Sequence, residues 1–157
     1  MRRADREIKS FDEIIEVMNK CSVCRLALNS EEYPYIVPLN FGIKIEGQSV
    51  ILYFHSALQG TKLDLIRRNN RASFEMDCGH TLEMNEKTGN CTMNYESVIG
   101  KGKIEFVPDE EKNNALKILM THYHREEFPF NPKMLSQTEV FRLIVSEMTG
   151  KRRTGKA

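Results

Sequence analysis

The strand-forming segments of this chain come in runs, and that arrangement most restricts its fold. Six short stretches read as strands: Val23–Leu28, Tyr35–Phe41, Ser49–Phe54, Ala72–Cys78, Tyr95–Val107 and Glu139–Glu147. In the second, Tyr35, Val37, Leu39 and Phe41 point one way, and Ile36, Pro38 and Asn40 the other. Pro38 cannot donate to a ladder, so it marks an edge or a bulge. Gly100 and Gly102 break or bend the fifth stretch. They predict a bulge, or the close approach of a ligand or a second backbone. Only three segments read as helices: Ser10–Asn19, Thr61–Asn69 and one beginning near Asp109. Strict alternation of strand and helix would give a doubly wound parallel sheet. This order instead predicts a mainly β fold, a six-stranded antiparallel barrel or curled sheet with peripheral helices.

Local signals place the ends of these elements. Ser10 and Glu13 form a capping box over a face of Phe11, Ile14, Ile15 and Met18. Asp109 is the expected cap of the third helix, with an acidic first turn that suits the dipole. Gly79–Asn90 reads as polar and irregular, and Phe128–Leu135, with two prolines, as a loop. A single domain is expected over residues 1–150, with 151–157 as a frayed basic tail.

Composition narrows the function classes. The 157 residues are 40% hydrophobic and 29% charged, which suits a soluble globular domain with a real core. A net charge of +1 gives no reason to expect nucleic acid. No secretory leader and no membrane-length apolar run is visible, so a cytoplasmic protein is expected. Four cysteines, at 21, 24, 78 and 91, are too few for a disulfide scaffold. Neither they nor His80, His122 and His124 complete a structural metal set, so no metal is expected.

The chemistry concentrates between Tyr53 and Asn70. A strand ends in His55-Ser56-Ala57, and Gly60 then opens a helix whose first turn carries Thr61 and Lys62. Free backbone N–H groups, a hydroxyl and a cation meet there, which suits a phosphate. The order Gly-Thr-Lys is not that of a P-loop. The purely structural reading makes Ser56 and Thr61 caps and Lys62 a solvated charge. A second group is Pro38-Leu39-Asn40-Phe41-Gly42. A buried Asn40 would need its amide paired, by backbone or by a heterocycle. Gly42 would leave room for a flat ring.

Taken together, these segments resemble the pyridoxamine 5′-phosphate oxidase-like, FMN-binding split-barrel proteins, and most closely the nitroimidazole-resistance type. The resemblance rests on Val23–Leu28, Pro34–Gly42, Leu52–Ala57, Gly60–Lys62, Asp64–Asn69, Tyr95–Gly102 and Thr149–Lys151, in that order. It implies a six-stranded split barrel and a homodimer with two FMN sites at the subunit interface. Pro38, Leu39, Asn40 and Phe41 would line the isoalloxazine, and His55, Ser56 and Ala57 would sit beside the ring and ribityl chain. Gly60 and Lys62 would hold the phosphate, and Ser97 would reach the partner's flavin. The implied activity is reduction or oxidation of a small molecule, with nitroimidazoles as the suggested substrates and NAD(P)H as the donor. His55 is the candidate catalytic residue. A strict pyridoxamine phosphate oxidase would need a second arginine cluster that the sequence lacks. The competing reading is a non-catalytic flavin- or haem-binding module, in which His55, His122 and His124 are candidate axial ligands. A cofactor-free barrel that binds protein or RNA is the third.

Overall fold

The computed structural model describes residues 3–124, 126 and 129–155. After a 3-10 turn at Ala4–Arg6, the elements are β1 (Glu7–Ile8), α1 (Phe11–Lys20), β2 (Cys24–Leu28), β3 (Tyr35–Leu39), β4 (Gly42–Glu46) and β5 (Ser49–Ala57). They continue with α2 (Thr61–Arg68), β6 (Arg71–Asn85), β7 (Asn90–Phe106), α3 (Asp109–Tyr123), α4 (Pro132–Leu135) and β8 (Thr138–Arg153). All strand pairings are antiparallel, in the order β3-β2-β6-β7-β8-β5-β4, with β1 added to β8.

This order explains the shape. β3 and β4 stand at opposite ends of the hydrogen-bonded path, yet only Asn40 and Phe41 separate them in sequence. The three Cα–Cα steps from Leu39 to Gly42 span at most about 11 Å. The sheet must therefore curl until its two edges almost meet. No ladder joins β3 to β4, so the barrel stays split along that line.

Burial follows the alternation. Leu26, Leu52, Phe54, Phe74, Val98 and Leu143 fill the barrel, with the Phe54 and Phe141 rings stacked 5.4 Å apart. Ile14, Ile15, Val17 and Met18 of α1 join this core. α3 builds a second, outer cluster: Ala115 and Leu116 cover Tyr53, Val107 and Val140. Arg152 binds both Glu96 and Glu13, and Lys20 reaches Glu96 at 2.8 Å, tying α1 to the β7–β8 pair. Burial opposes the Glu96 charge, but Lys20 and Arg152 outweigh it and lower its pKa.

Several boundaries differ from the sequence reading. β4 is a separate strand, paired with β5 through the Glu46–Ser49 turn. The segment expected to be irregular is a regular hairpin, with Thr81–Asn85 paired to Asn90–Asn94. Its polar side chains hid the alternation. Lys151, Arg152 and Arg153 are the last residues of β8, not a frayed tail, because Tyr95, Glu96 and Ser97 pair with them. Ser10 caps α1 as expected, accepting from the Glu13 N–H at 3.5 Å. Asp109 does not cap α3. Pro108 takes that position without a side-chain bond, and the Asp109 carboxylate pairs with Lys112 at 2.7 Å. Within the segment read as a loop, Pro132–Leu135 forms a short helix, while Phe128 lies outside the described residues. The bulge expected at the β7 glycines is present. The β7–β8 register shifts between Lys101 and Gly102, with Ser146 as the extra residue.

Candidate functional site

β5 carries its inward residues Leu52 and Phe54 into the core and runs on for three residues past them. His55, Ser56 and Ala57 pair with Val140, Glu139 and Thr138 of β8, so the polar end of the strand is held by a ladder. Ser56 donates to the Ala57 carbonyl at 2.8 Å. The chain then turns through Leu58–Gly60 into α2, whose buried face is Leu63, Leu65 and Ile66. Gly60 occupies the N-cap at φ +143°, a conformation that L side chains rarely adopt. The helix start therefore has no side-chain cap, and open space surrounds the Gly60 Cα. The Gly60 carbonyl accepts from Leu63 and Asp64. The N–H groups of the first turn face outward with the positive end of the dipole.

Lys62 is half-buried at this terminus, and none of the ion pairs among the described residues involves it. Its cation is felt by His55. Desolvation of the imidazole, and then Lys62, push the His55 pKa below its usual value. His55 is thus neutral at neutral pH. An uncapped helix start, an unpaired ammonium and a neutral imidazole share one corner, which is a suitable seat for an anionic group. Glu139, opposite Ser56, supplies the nearby negative charge, but Arg67 at 4.0 Å and Lys112 at 3.7 Å flank it.

The second group behaves less uniformly. Pro38 is exposed on the edge strand β3, opposite Arg25 of β2. Leu39 packs against the barrel core. Asn40 is exposed rather than buried, and its amide donates to the Ser22 carbonyl at 3.4 Å. Phe41 is fully buried, its ring 4.4 Å from the His122 ring and its N–H bonded to the Tyr123 hydroxyl, so the protomer does not offer it to a ligand. Gly42 leaves no room for a flat ring, because a Cβ there would overlap the Leu119 backbone of α3. The glycine serves helix–strand contact. Gly42 nevertheless pairs with Tyr53, which brings the Asn40–Phe41 turn beside the Phe54–His55 end of β5. Both groups therefore meet at the split.

Ser97 does not join them within the protomer. On β8 its partner is Lys151, whereas that of His55 is Val140, eleven residues away. That is about 36 Å of extended strand. Gly100 and Gly102 are buried against Phe74 and the Ile144 backbone, so the second backbone they admit is β8.

The sequence reading missed the part played by the end of α3. The Tyr123 hydroxyl accepts from the Phe41 N–H at 3.0 Å and donates to the Ser22 carbonyl at 2.8 Å. His122 Nε2 meets the Cys21 carbonyl at 2.7 Å. Two side chains of one helix turn thus clamp the β3–β4 connection. The available signal was a hydroxyl at the end of an otherwise apolar face. Arg25 was also missed. It holds Glu75 at 3.0 Å and also Asp77 on the outer sheet face beside Pro38. Burial and then Asp77 raise the Glu75 pKa against the pull of Arg25. Cys21 and Cys24 are buried free thiols whose pKa values burial drives upward. Among the described residues no group of His, Cys, Asp and Glu could hold a metal ion, and no helix is long and apolar enough to cross a membrane.

No curated protein matches the chain. A solved structure of a candidate 5-nitroimidazole antibiotic resistance protein from Bacteroides thetaiotaomicron is 31% identical. It matches 93% of this chain and 86% of its own at a TM-score of 0.82. An FAD-binding protein from Mesorhizobium loti is 25% identical over 95% of this chain and 98% of its own, at a TM-score of 0.65. The FAD and haem binding protein from Mycobacterium smegmatis, 17% identical over 96% and 74% at a TM-score of 0.81, shares the fold. The family match itself spans residues 10–152, from the cap of α1 to the end of β8, and takes in both sides of the split. A match of that extent places the chain in the pyridoxamine 5′-phosphate oxidase family.

Proposed function

We propose that this chain binds FMN at the split and works, as a homodimer, as an oxidoreductase of small molecules. The observation that carries the reading is the uncapped start of α2 beside Lys62, which has no acidic partner among the described residues. Lys62 and the first N–H groups of α2 would hold the phosphate. Ser56 and Ala57 would border the ribityl chain, and the exposed Pro38 and Asn40 would border the ring. The bound flavin supplies the hydride or electron chemistry, and the protein supplies binding, orientation and exclusion of water. His55 is neutral at neutral pH, so a ring nitrogen is free to accept a proton or a hydrogen bond there. The position of Ser97, far from His55 along β8, suits a site completed by a second subunit.

The flavin named for the relatives from Mesorhizobium and Mycobacterium supports the cofactor class, and the Bacteroides relative supports nitroimidazoles as substrates. NAD(P)H is the proposed donor. The haem alternative has less to work with. His122, one of its candidate ligands, commits Nε2 to the Cys21 carbonyl and its ring to Phe41.

Replacing Lys62 with Ala tests the site. FMN affinity, read by quenching of flavin fluorescence, should fall by about 1–3 kcal/mol, the scale of a charge-assisted hydrogen bond. An unchanged dissociation constant removes Lys62 from the site. Wild-type protein that takes up no FMN ends the proposal. Anaerobic turnover of a nitroimidazole to its amine tests the substrate, and FMN-loaded protein without such turnover discards it.

A further inference from the structure

We propose that Cys21 and Cys78 form a modification site, which hydrogen peroxide oxidises to a disulfide that ties the end of α1 to β6. The bond itself stands apart from the flavin reading, and only its effect on the split rests on that reading.

The two cysteines are distant in sequence and meet in the fold. Cys21 is the C-cap of α1 and is buried, and its thiol donates to the Val17 carbonyl at 3.3 Å. Cys78 follows Ala72, Phe74 and Met76 on the inward face of β6 and is half-buried against the core that α1 also joins. Lys20, next to Cys21, and Cys78 itself both reach Oε2 of Glu96, at 2.8 and 4.0 Å. There the two thiols hydrogen-bond each other, and each is free. The other two cysteines are placed differently. Cys24 is fully buried in the β2–β3 ladder, and Cys91 is exposed on the outer β6–β7 hairpin, opposite Met84. The backbone at Cys78 can also give. Cys78 is the last residue before the register shift of β6, and Gly79 after it stands at φ +69°. A ladder is locally disrupted at a bulge, so the strand bends there.

The chemistry follows from exposure. Cys78 is the more exposed of the two thiols, so peroxide meets it first. Its sulfur takes one peroxide oxygen to become a sulfenic acid, and water leaves. The Cys21 sulfur then displaces the sulfenic hydroxyl, which departs with the Cys21 proton as a second water. The thiols lose two electrons between them, and one hydrogen peroxide becomes two waters. Burial raises the Cys78 pKa, while the bond from Cys21 and the Lys20 ammonium act the other way. Burial also raises that of Cys21. Thiolate is therefore scarce at neutral pH, which suits a slow, reversible sensor rather than a peroxidase.

Cys21 connects this site to the split. Its carbonyl accepts from His122 Nε2 at 2.7 Å. The next carbonyl, that of Ser22, accepts from the Tyr123 hydroxyl at 2.8 Å and from the Asn40 amide at 3.4 Å. A bond made at Cys21 thus acts on the anchor of the turn that borders the proposed flavin ring.

Peptide mapping without reductant, on wild type before and after hydrogen peroxide, tests this. The expected product is one cross-linked pair of peptides holding Cys21 and Cys78, lighter by two hydrogens and released by dithiothreitol. Cys91→Ser should form the same bond. Cys21→Ser should instead leave a sulfenic acid at Cys78, captured by dimedone. Should that variant not fold, the wild-type map decides alone. Oxidation should raise the urea midpoint, because the bond closes residues 21–78 into a loop in the unfolded chain. Dithiothreitol should restore the midpoint, which it would not do for methionine sulfoxide. A bond to Cys24 or Cys91 in its place overturns the inference, as do four free thiols in protein whose methionines are already oxidised. FMN affinity should change at least about fivefold on oxidation and revert with dithiothreitol. A disulfide that leaves FMN affinity unchanged overturns the link to the split. Protein that forms the disulfide but never takes up FMN supports the modification site and ends the flavin reading.

Discussion

Replacing Tyr123 with Phe removes one oxygen atom and should loosen the turn that borders the proposed flavin ring. The hydroxyl is the acceptor for the Phe41 N–H and the donor to the Ser22 carbonyl, at 3.0 and 2.8 Å. An isosteric change leaves no cavity, so the cost comes from the polar groups left behind. The Ser22 carbonyl keeps the Asn40 amide at 3.4 Å, so its loss is the smaller. The Phe41 N–H belongs to a fully buried residue and loses its acceptor. An orphaned N–H costs about 1–3 kcal/mol, and Tyr123 is 40% exposed, so water can replace part of the bond. About 1–2 kcal/mol is expected. For a chain of this size that is a fall in Tm of roughly 2–8 °C. Urea unfolding of the cofactor-free protein measures it, at constant m-value. FMN affinity should fall together with stability, because the same turn borders the ring. An unchanged urea midpoint would refute the clamp. A stability loss with unchanged FMN affinity would leave the clamp and detach it from the site.

His55 gives a pH prediction. Its pKa is depressed, so the unfolded chain takes up the proton more readily. Its contribution to stability is full above about pH 6.5 and is lost as pH falls through the lower folded value. Protonation also adds a cation beside Lys62, so phosphate affinity should gain on acidification. The phosphate titrates near pH 6 itself. The readout is therefore the difference between wild type and His55→Gln, and equal pH profiles would remove His55 from the site. His55→Ala should cost turnover more than cofactor; wild-type turnover in that variant leaves His55 as a strand end. Gly42→Ala forces a Cβ into the Leu119 backbone and should destabilise by about 2–3 kcal/mol or more. An urea midpoint like that of wild type would show that α3 does not press on β4 there.

Alternation and turn chemistry made most strands legible, and runs without intervening helices made the sheet antiparallel. Phe11, Ile14, Ile15 and Met18 marked α1 because a 3.6-residue period shows in any amphipathic helix. The grouping of His55, Gly60 and Lys62 at one corner was legible because these residues are close in sequence. Other features depended on partners far along the chain. Asn40 looked like a buried strand residue because its true partner, Ser22, is eighteen residues back. Gly42 looked like space for a ligand because nothing local announces Leu119. The outer β6–β7 hairpin, Thr81–Asn94, was read as irregular because most of its residues are polar or turn-forming and only its cross-strand pairing marks it as a ladder. Lys151–Arg153 read as a tail because their partners are distant in sequence: Glu13 and Glu96 for Arg152, Glu83 for Arg153, and the Tyr95 ring for Lys151.

The place of β8 in the sheet has a consequence for how the molecule is made. It pairs with β1, β5 and β7, and it follows all three in the chain. Ile51 waits for Ile144, more than ninety residues downstream, before its second ladder can form. Without β8 the first seven strands can pair only as the β4–β5 hairpin and the β3–β2–β6–β7 sheet, with β1 unpaired and the edges that β8 covers unfilled. Such edges recruit other chains, and distant pairings close slowly. β8 therefore closes the sheet, and until it is in place those edges stay open to pairing with other chains.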